Sequence, residues 1–328
     1  AVMAIGMAAA AVGPVDIPPD TLVRIVADRL PLVDFARDWP ASWEIIVWDL
    51  RLPRIALAGI VGAALALSGA TYQGLFRNPL ADPYLIGVAS SAGLGAIIVL
   101  TTGVPHSSHG VSLLPLAAFA GGLGAVTVAY MIARGSEGVP LTTLILAGVA
   151  IAYLTSAVGS LLMLRSESDL RPVLSWLLGG FISAQWKHVV MVLPYMVPSV
   201  LIVLTYGRVL NVLQLDEEHS RQLGVNVERT KLLLIGAASL ATAAAVAFSG
   251  PIGFVGFIAP HAVRLVWGVD YRALLPMAAL VGAGFLVLAD TVARTLLSPV
   301  ELPVGIVTAF CGAPFFLYLL RQRRSVSM

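Results

Sequence analysis

Charge is what this sequence has least of. Only 12% of its 328 residues are Asp, Glu, Lys or Arg, against the ~25% usual in a soluble domain. A net charge of +2 is too small for a nucleic-acid-binding surface. Cysteine occurs once, as Cys311 within an apolar run, which excludes an intrachain disulfide and leaves the thiol as inert filler. The only lysines are Lys187 and Lys231, and neither follows a glycine. There is therefore no phosphate-cradling Gly-Lys-Ser/Thr loop, and any ATP hydrolysis that serves this chain belongs to another subunit. Period-two alternation is missing too, which excludes a membrane barrel.

What is abundant is apolar: 58% of residues are hydrophobic and mean hydropathy is +0.91. They fall in long uncharged runs, the mark of an all-α polytopic membrane protein built as one transmembrane domain over 1–328. Spans are expected at about 55–76, 84–104, 111–133, 139–164, 189–207, 232–249, 252–267, 274–292 and 303–320, each near bilayer length. Residues Ala1 to Gly13 are apolar but short and begin without Met, and are read as the trimmed end of a first span. The alternative is a cleaved signal peptide, although no basic n-region is visible. With that segment the spans number about ten and both ends lie on one side. Residues 14–50 carry Trp39, Trp43 and Trp48 and read as an external loop with interfacial helices. The run 172–186 is too brief to cross and reads as a re-entrant half-helix. The basic tail Arg321, Arg323 and Arg324 and the basic 208–231 stretch place the C-terminus in the cytoplasm, although Arg24, Arg29, Arg37, Arg51 and Arg54 on the other side weaken the bias. Shifting the sequence by 181 residues aligns Ser68-Gly69 with Ser249-Gly250, Phe76 with Phe257 and Pro79 with Pro260, the hint of an inverted repeat.

Polar groups inside such runs are costly and tend to mark function. Asp290 and Arg294 are spaced to pair on one helix face. Asp290 is the one carboxylate a proton relay could use, and Arg294 stands ready to neutralise it. Arg51 and Arg54 flank Leu52-Pro53 at a span entrance, either as interfacial anchors or as a docking spot for an acidic partner. The span from Leu141 to Leu164 carries Thr142, Thr143, Gly148, Thr155, Ser156, Gly159 and Ser160, small residues that permit close packing or line a mildly polar path. His106 and His109 sit in a Gly/Ser-rich loop and read as solvated rather than as metal ligands.

The longest polar interruption in the second half is Leu215 to Lys231. Asp216, Glu217 and Glu218 favour a helix start, Gly224 a left-handed stop and Asn226 a cap for the second helix. Leu223, Val225 and Val227 give the pair an apolar edge. A small amphipathic knob of this kind suits the grip of a soluble partner, the bland reading being a solvated loop.

Taken together, Arg51-Leu52-Pro53-Arg54, Gln73-Gly74-Leu75-Phe76-Arg77-Asn78-Pro79-Leu80-Ala81-Asp82-Pro83, Trp176-Leu177-Leu178-Gly179-Gly180, Gly250-Pro251-Ile252-Gly253-Phe254-Val255-Gly256 and Glu301-Leu302-Pro303-Val304-Gly305 resemble the permease subunits of iron-siderophore, haem and vitamin B12 ABC importers. So do Leu146-Ala147-Gly148-Val149 and Leu223-Gly224-Val225. The resemblance implies a ten-span permease of the bacterial inner membrane that pairs with a second copy of itself. It further implies two cytoplasmic ATPases, which carry ATP and Mg while this chain holds no cofactor, and a periplasmic binding protein that brings the substrate. By the same resemblance, Glu217, Glu218, His219, Arg221, Leu223, Gly224 and Val225, within a 211–231 coupling segment, would seat in the ATPase. Arg51, Arg54 and Arg294 would receive the binding protein, and Thr142 and Thr143 would form a cytoplasmic gate. The expected function is alternating-access import of a metal chelate, haem foremost, otherwise a ferric siderophore or cobalamin. Thr155, Ser156, Gly159 and Ser160 are the expected path, and Arg165 and Arg171 at its outer mouth either meet carboxylates such as haem propionates or form salt bridges with Glu167 or Asp169. The competing reading is a proton- or sodium-coupled secondary carrier.

Overall fold

The computed structural model describes residues 2–13, 15–29, 37–102, 107–108, 111–135, 139–167 and 169–326. His106 and His109 lie outside them. Among the described residues the fold is helical, apart from an antiparallel bridge of Ser107–Ser108 with Val111–Ser112.

Among the described residues six helices are long and apolar enough to cross a membrane. The innermost is α4 (Leu52–Leu75), entered without a break through α3 (Ala41–Ile45) and a π-helical stretch, Ile46–Arg51. Helix therefore begins well before the expected 55, and the end of the 14–50 segment is continuous with the span; among the described residues there, α2 (Pro19–Ala27) is the one separate helix. The others are α6 (Leu113–Ala133), α7 (Leu141–Arg165), α9 (Trp186–Thr205), α12 (Val227–Ser249) and α14 (Tyr271–Thr295). Four shorter apolar helices accompany them: α1 (Val2–Ala11), α5 (Val88–Thr101), α13 (Val255–Trp267) and α15 (Val304–Val326), the last apolar as far as Leu319.

Composition explains who sits inside. α4 is buried along most of its length because small residues let neighbours approach on several sides. A Cβ on Gly62 would strike the Gly282 backbone of α14, and a Cβ on Gly282 would strike Gly62 in return. α7 is the opposite case. Leu146, Tyr153, Leu154 and Leu164 are each more than 60% exposed, so this helix leaves a broad apolar face uncovered by its own chain.

Two segments break inside the bundle. α8 (Arg171–Leu177) is a single stretch of seven residues, about 10 Å long. The expected 172–186 half-helix therefore ends early, and Trp186 already belongs to α9. Between α12 and α13 the backbone from Gly250 to Phe254 is non-helical. Irregular backbone at membrane depth survives only where protein satisfies it. Here the Ile252 N–H donates to Tyr84 Oη at 3.0 Å and Gly180 N–H donates to the Ser249 carbonyl at 2.7 Å. The apparent repeat dissolves at this point. Phe76 caps the end of α4 while Phe257 lies in the first turns of α13, so the matched residues occupy unlike places.

Candidate functional site

At one end of the bundle, α10 (Gly207–Val212), α11 (Glu217–Gln222) and the start of α12 form a compact knob. It begins at Gly207 rather than the expected 211. Asp216 caps α11 by accepting the His219 N–H at 2.8 Å, and His219 Nδ1 lies 2.7 Å from the same carboxylate oxygen. That N–H, first of all, holds the Asp216 pKa below the ordinary carboxylate value. Gly224 stops the helix at φ +82°, a conformation that costs a side chain but not glycine. Asn226 then caps α12 by accepting the Arg229 N–H at 3.1 Å. The expected Asn226 cap and left-handed stop are therefore present, and Asp216, expected only as negative charge at a helix start, is itself the cap of α11.

The knob is braced from below. Fully buried Ser220 donates to the Val212 and Asp216 carbonyls. The end of α4 holds the α10–α11 turn: Gln214 Nε2 donates to the Gly74 carbonyl at 3.0 Å, and Arg77 Nε to the Leu213 carbonyl at 2.9 Å. Asn211 clasps the start of α14, donating to Asp270 at 2.6 Å and accepting the Tyr271 N–H at 2.9 Å. Glu217 pairs with Lys231 at 2.6 Å and more loosely with Arg221 at 3.9 Å. The Lys231 bond is the main reason that the Glu217 pKa lies below its ordinary value. Above this frame Leu223 is 63% exposed and Glu218, His219 and Arg221 face solvent. Val225 is half-buried against the core and Val227 is buried, so the apolar edge divides: Leu223 is offered outward while the valines hold the knob down.

Beside the knob starts α7. Thr142 and Thr143 are exposed there, and Thr142 lines a cavity of about 800 Å³ together with Arg77, Glu217, Glu228 and Lys231. Further along α7 the small residues divide into two groups. Gly148 and Gly159 are buried, packing on Ile86 and Ile97. Thr155, Ser156 and Ser160 line a cleft of about 320 Å³ with Ser90 and Gly93 of α5, and Thr155 Oγ1 accepts from Ser91 Oγ at 3.3 Å. Arg165 and Arg171 are exposed at the far end, where Arg171 lies 4.0 Å from Asp169.

The far end also corrects an expectation. Arg51, Arg54 and Arg294 are 5%, 8% and 4% exposed, so they form no basic patch for a docking partner. Arg54 donates from Nε and Nη2 to Asp290 at 2.9–3.0 Å and from Nη1 to Glu301 at 2.8 Å. Arg294 meets Asp290 at 3.3 Å and donates to the Ala9 carbonyl at 3.1 Å. Arg51 donates to the Ala10 and Val15 carbonyls. A buried guanidinium requires such partners, and although Arg294 Nε makes an ion pair without a hydrogen bond, the contacts form an internal clamp joining α1, α4 and α14. The expected pairing of Asp290 with Arg294 is present, but Arg54 is the closer partner.

The family model of the FecCD transport family matches residues 1–322. The chain belongs to the FecCD transport family. Curated relatives of this FecCD-family permease include the cobalamin import system permease protein BtuC of Halobacterium salinarum, 46% identical and covering 97% of this chain and 88% of the relative. The hemin transport system permease protein HmuU of Yersinia pestis is 43% identical, covering 90% of each. A solved metal-chelate type ABC transporter in an inward-facing conformation superposes with TM-score 0.84 at 32% identity, over 98% of this chain and 96% of that one. This FecCD-family protein is therefore a multi-pass ABC importer permease. Sequence reasoning overlooked Gln214, Asn211 and Lys231 as braces of its knob. In or beside a stretch already rich in polar residues, these three side chains carry no sequence signal of their own.

Proposed function

We propose that this permease is one half of the membrane channel of an ATP-driven importer for a tetrapyrrole-type metal chelate, haem or cobalamin. Two copies form the channel, with the knob in the cytoplasm seated in an ATPase subunit that carries ATP and Mg, and a periplasmic binding protein delivers cargo to the opposite end. The bacterial inner membrane and a cytoplasmic C-terminus follow from that placement. The observation that carries the reading is the knob: capped at both helix starts, braced from α4 and α14, and offering Leu223 outward. A passive connector needs none of that bracing. The uncovered apolar face of α7 suits a second copy, with Thr142 and Thr143 at the gate and Thr155, Ser156 and Ser160 along the path. Exposed Arg165 and Arg171 suit carboxylates on the cargo. The cobalamin and hemin names borne by two relatives favour the tetrapyrrole class over a ferric siderophore, and the sequence reading favoured haem within it.

The mechanism is alternating access. Nucleotide binding and hydrolysis shift the ATPases, the knob carries the shift into the spans, and α7 with α8 opens or closes the central path. A carrier driven by protons needs a carboxylate deep in the spans, and the expected candidate, Asp290, is bound by two arginines. The test is co-purification with an ATPase, followed by vesicle uptake with haem, cobalamin and a ferric siderophore compared side by side. ATP-dependent uptake of a tetrapyrrole is expected; uptake that needs no nucleotide, or only the siderophore moving, refutes the proposal.

A further inference from the structure

Lys231 is buried, 6% exposed, in an apolar helix and is one of two lysines in the chain. A buried ammonium needs paired acceptors, and the choice of acceptors here is informative. Its Nζ meets Glu217 of α11 at 2.6 Å and Glu228, one turn back on its own helix, at 3.8 Å. The other oxygen of Glu228 accepts the backbone N–H of Val139 at 3.3 Å. Val139 is itself buried, packed with Leu144 and Val227 in one core cluster, and stands two residues before α7 and three before Thr142. A continuous polar chain therefore runs from α11 through Glu217, Lys231 and Glu228 to the entrance of α7.

We infer that Lys231 is a positioning residue that transmits displacement of the knob to the start of α7, so that motor movement reaches the gate through this ion pair. The inference rests on the proposed ATP-driven import and deepens it. Apolar contacts alone would let α11 slip over the α7 entrance, because dispersion contacts are individually weak and non-directional. A short charged bond flanked by a backbone hydrogen bond resists such slippage. The polar chain also explains why two half-exposed carboxylates at this site turn to a buried lysine while Glu218 and Arg221 of the same knob face solvent.

The permease–ATPase complex in proteoliposomes, offered cobalamin and haem in parallel, tests this through cargo moved per ATP hydrolysed. Lys231→Met keeps the apolar stem and removes the charge. It is expected to hold its ATPase and to hydrolyse ATP within about twofold of the parent, while uptake per ATP falls about tenfold, a usual size for coupling between sites. Lys231→Arg should retain at least half of the parent ratio. Adding Glu228→Gln to Lys231→Met should cost nothing further, since both remove one link. An unchanged ratio in Lys231→Met overturns the inference. So does loss of ATPase attachment, or an equal fall in hydrolysis and uptake, because either makes Lys231 a brace only. Should Lys231→Met fail to accumulate, Glu228→Gln, a change at a side chain 38% exposed, is read by the same criteria. Nucleotide-independent uptake by the parent complex would instead refute the importer reading itself, a separate and visible outcome.

Discussion

Replacing Asp290 by Asn should destabilise the protein more than replacing Arg54 by Met, although the two residues share one ion pair. The described cluster holds three guanidinium groups, Arg51, Arg54 and Arg294, and two carboxylates in ion pairs with them, Asp290 and Glu301, while exposed Asp16 acts on Arg51 from outside. Asp290→Asn preserves shape but leaves three cations with Glu301 as the one ion-paired anion, and deprives Arg294 of its carboxylate at 3.3 Å. Arg54→Met removes one of the three positive charges. It leaves Asp290 at 3.3 Å from Arg294, and Glu301, whose side chain is 32% exposed, free to hydrate. Breaking a buried pair by removing one member costs about 3–5 kcal/mol, the value expected for Asp290→Asn. Losing charge-assisted hydrogen bonds while the remaining charges stay balanced costs about 1.5–3 kcal/mol, the value expected for Arg54→Met. The double variant Arg54→Met/Asp290→Leu should recover part of the loss relative to Asp290→Asn, since apolar replacement of a buried pair is often near neutral. Unfolding in detergent micelles, followed by tryptophan fluorescence, ranks the variants. Equal losses for the two single variants, or both below about 1 kcal/mol, would refute the clamp. Exposed docking arginines would have produced that second pattern.

Three further outcomes are expected. Gly224→Ala should destabilise the knob by about 1–2 kcal/mol through backbone strain alone, because φ is +82° and a Cβ there meets nothing within 4 Å; weakened ATPase retention with unchanged global unfolding checks it. Gly62→Leu should abolish a monodisperse protein in size-exclusion chromatography, since the side chain would enter the Gly282 backbone of α14 and two packed helices cannot separate cheaply. The knob should loosen in acid. Asp216 and Glu217 are both held below their ordinary values of 3.8 and 4.5, so their contribution is fully present above that range and is lost as pH falls through the lower folded values. Amide hydrogen exchange of residues 216–226, corrected for intrinsic rates, should therefore be flat from pH 7 to 5 and rise below about pH 4; a rise already at pH 6 would contradict the assignment.

The helices, their approximate bounds and the knob were legible in the order of residues because they rest on local physics. Uncharged runs of bilayer length must become helices when no water is present to satisfy the backbone. Asp216, Gly224 and Asn226 act within a few residues of themselves, so start, stop and cap can be read in line. The Arg51, Arg54 and Arg294 cluster shows the other case. In sequence they look like external basic groups at span edges, and only packing reveals that Asp290 and Glu301 lie 236 and 247 residues from Arg54 yet within hydrogen-bond distance of it. The same holds for the division of α7 into glycines that pack and hydroxyls that line a cleft, because composition marks a residue as small without saying what stands opposite. Lys231 completes the contrast. The sequence alone determined that a lysine follows a capped helix start; the tertiary structure decided that its charge is buried between the knob and the entrance of α7, since a charge in an apolar interior is fixed by whichever carboxylates the fold brings within reach.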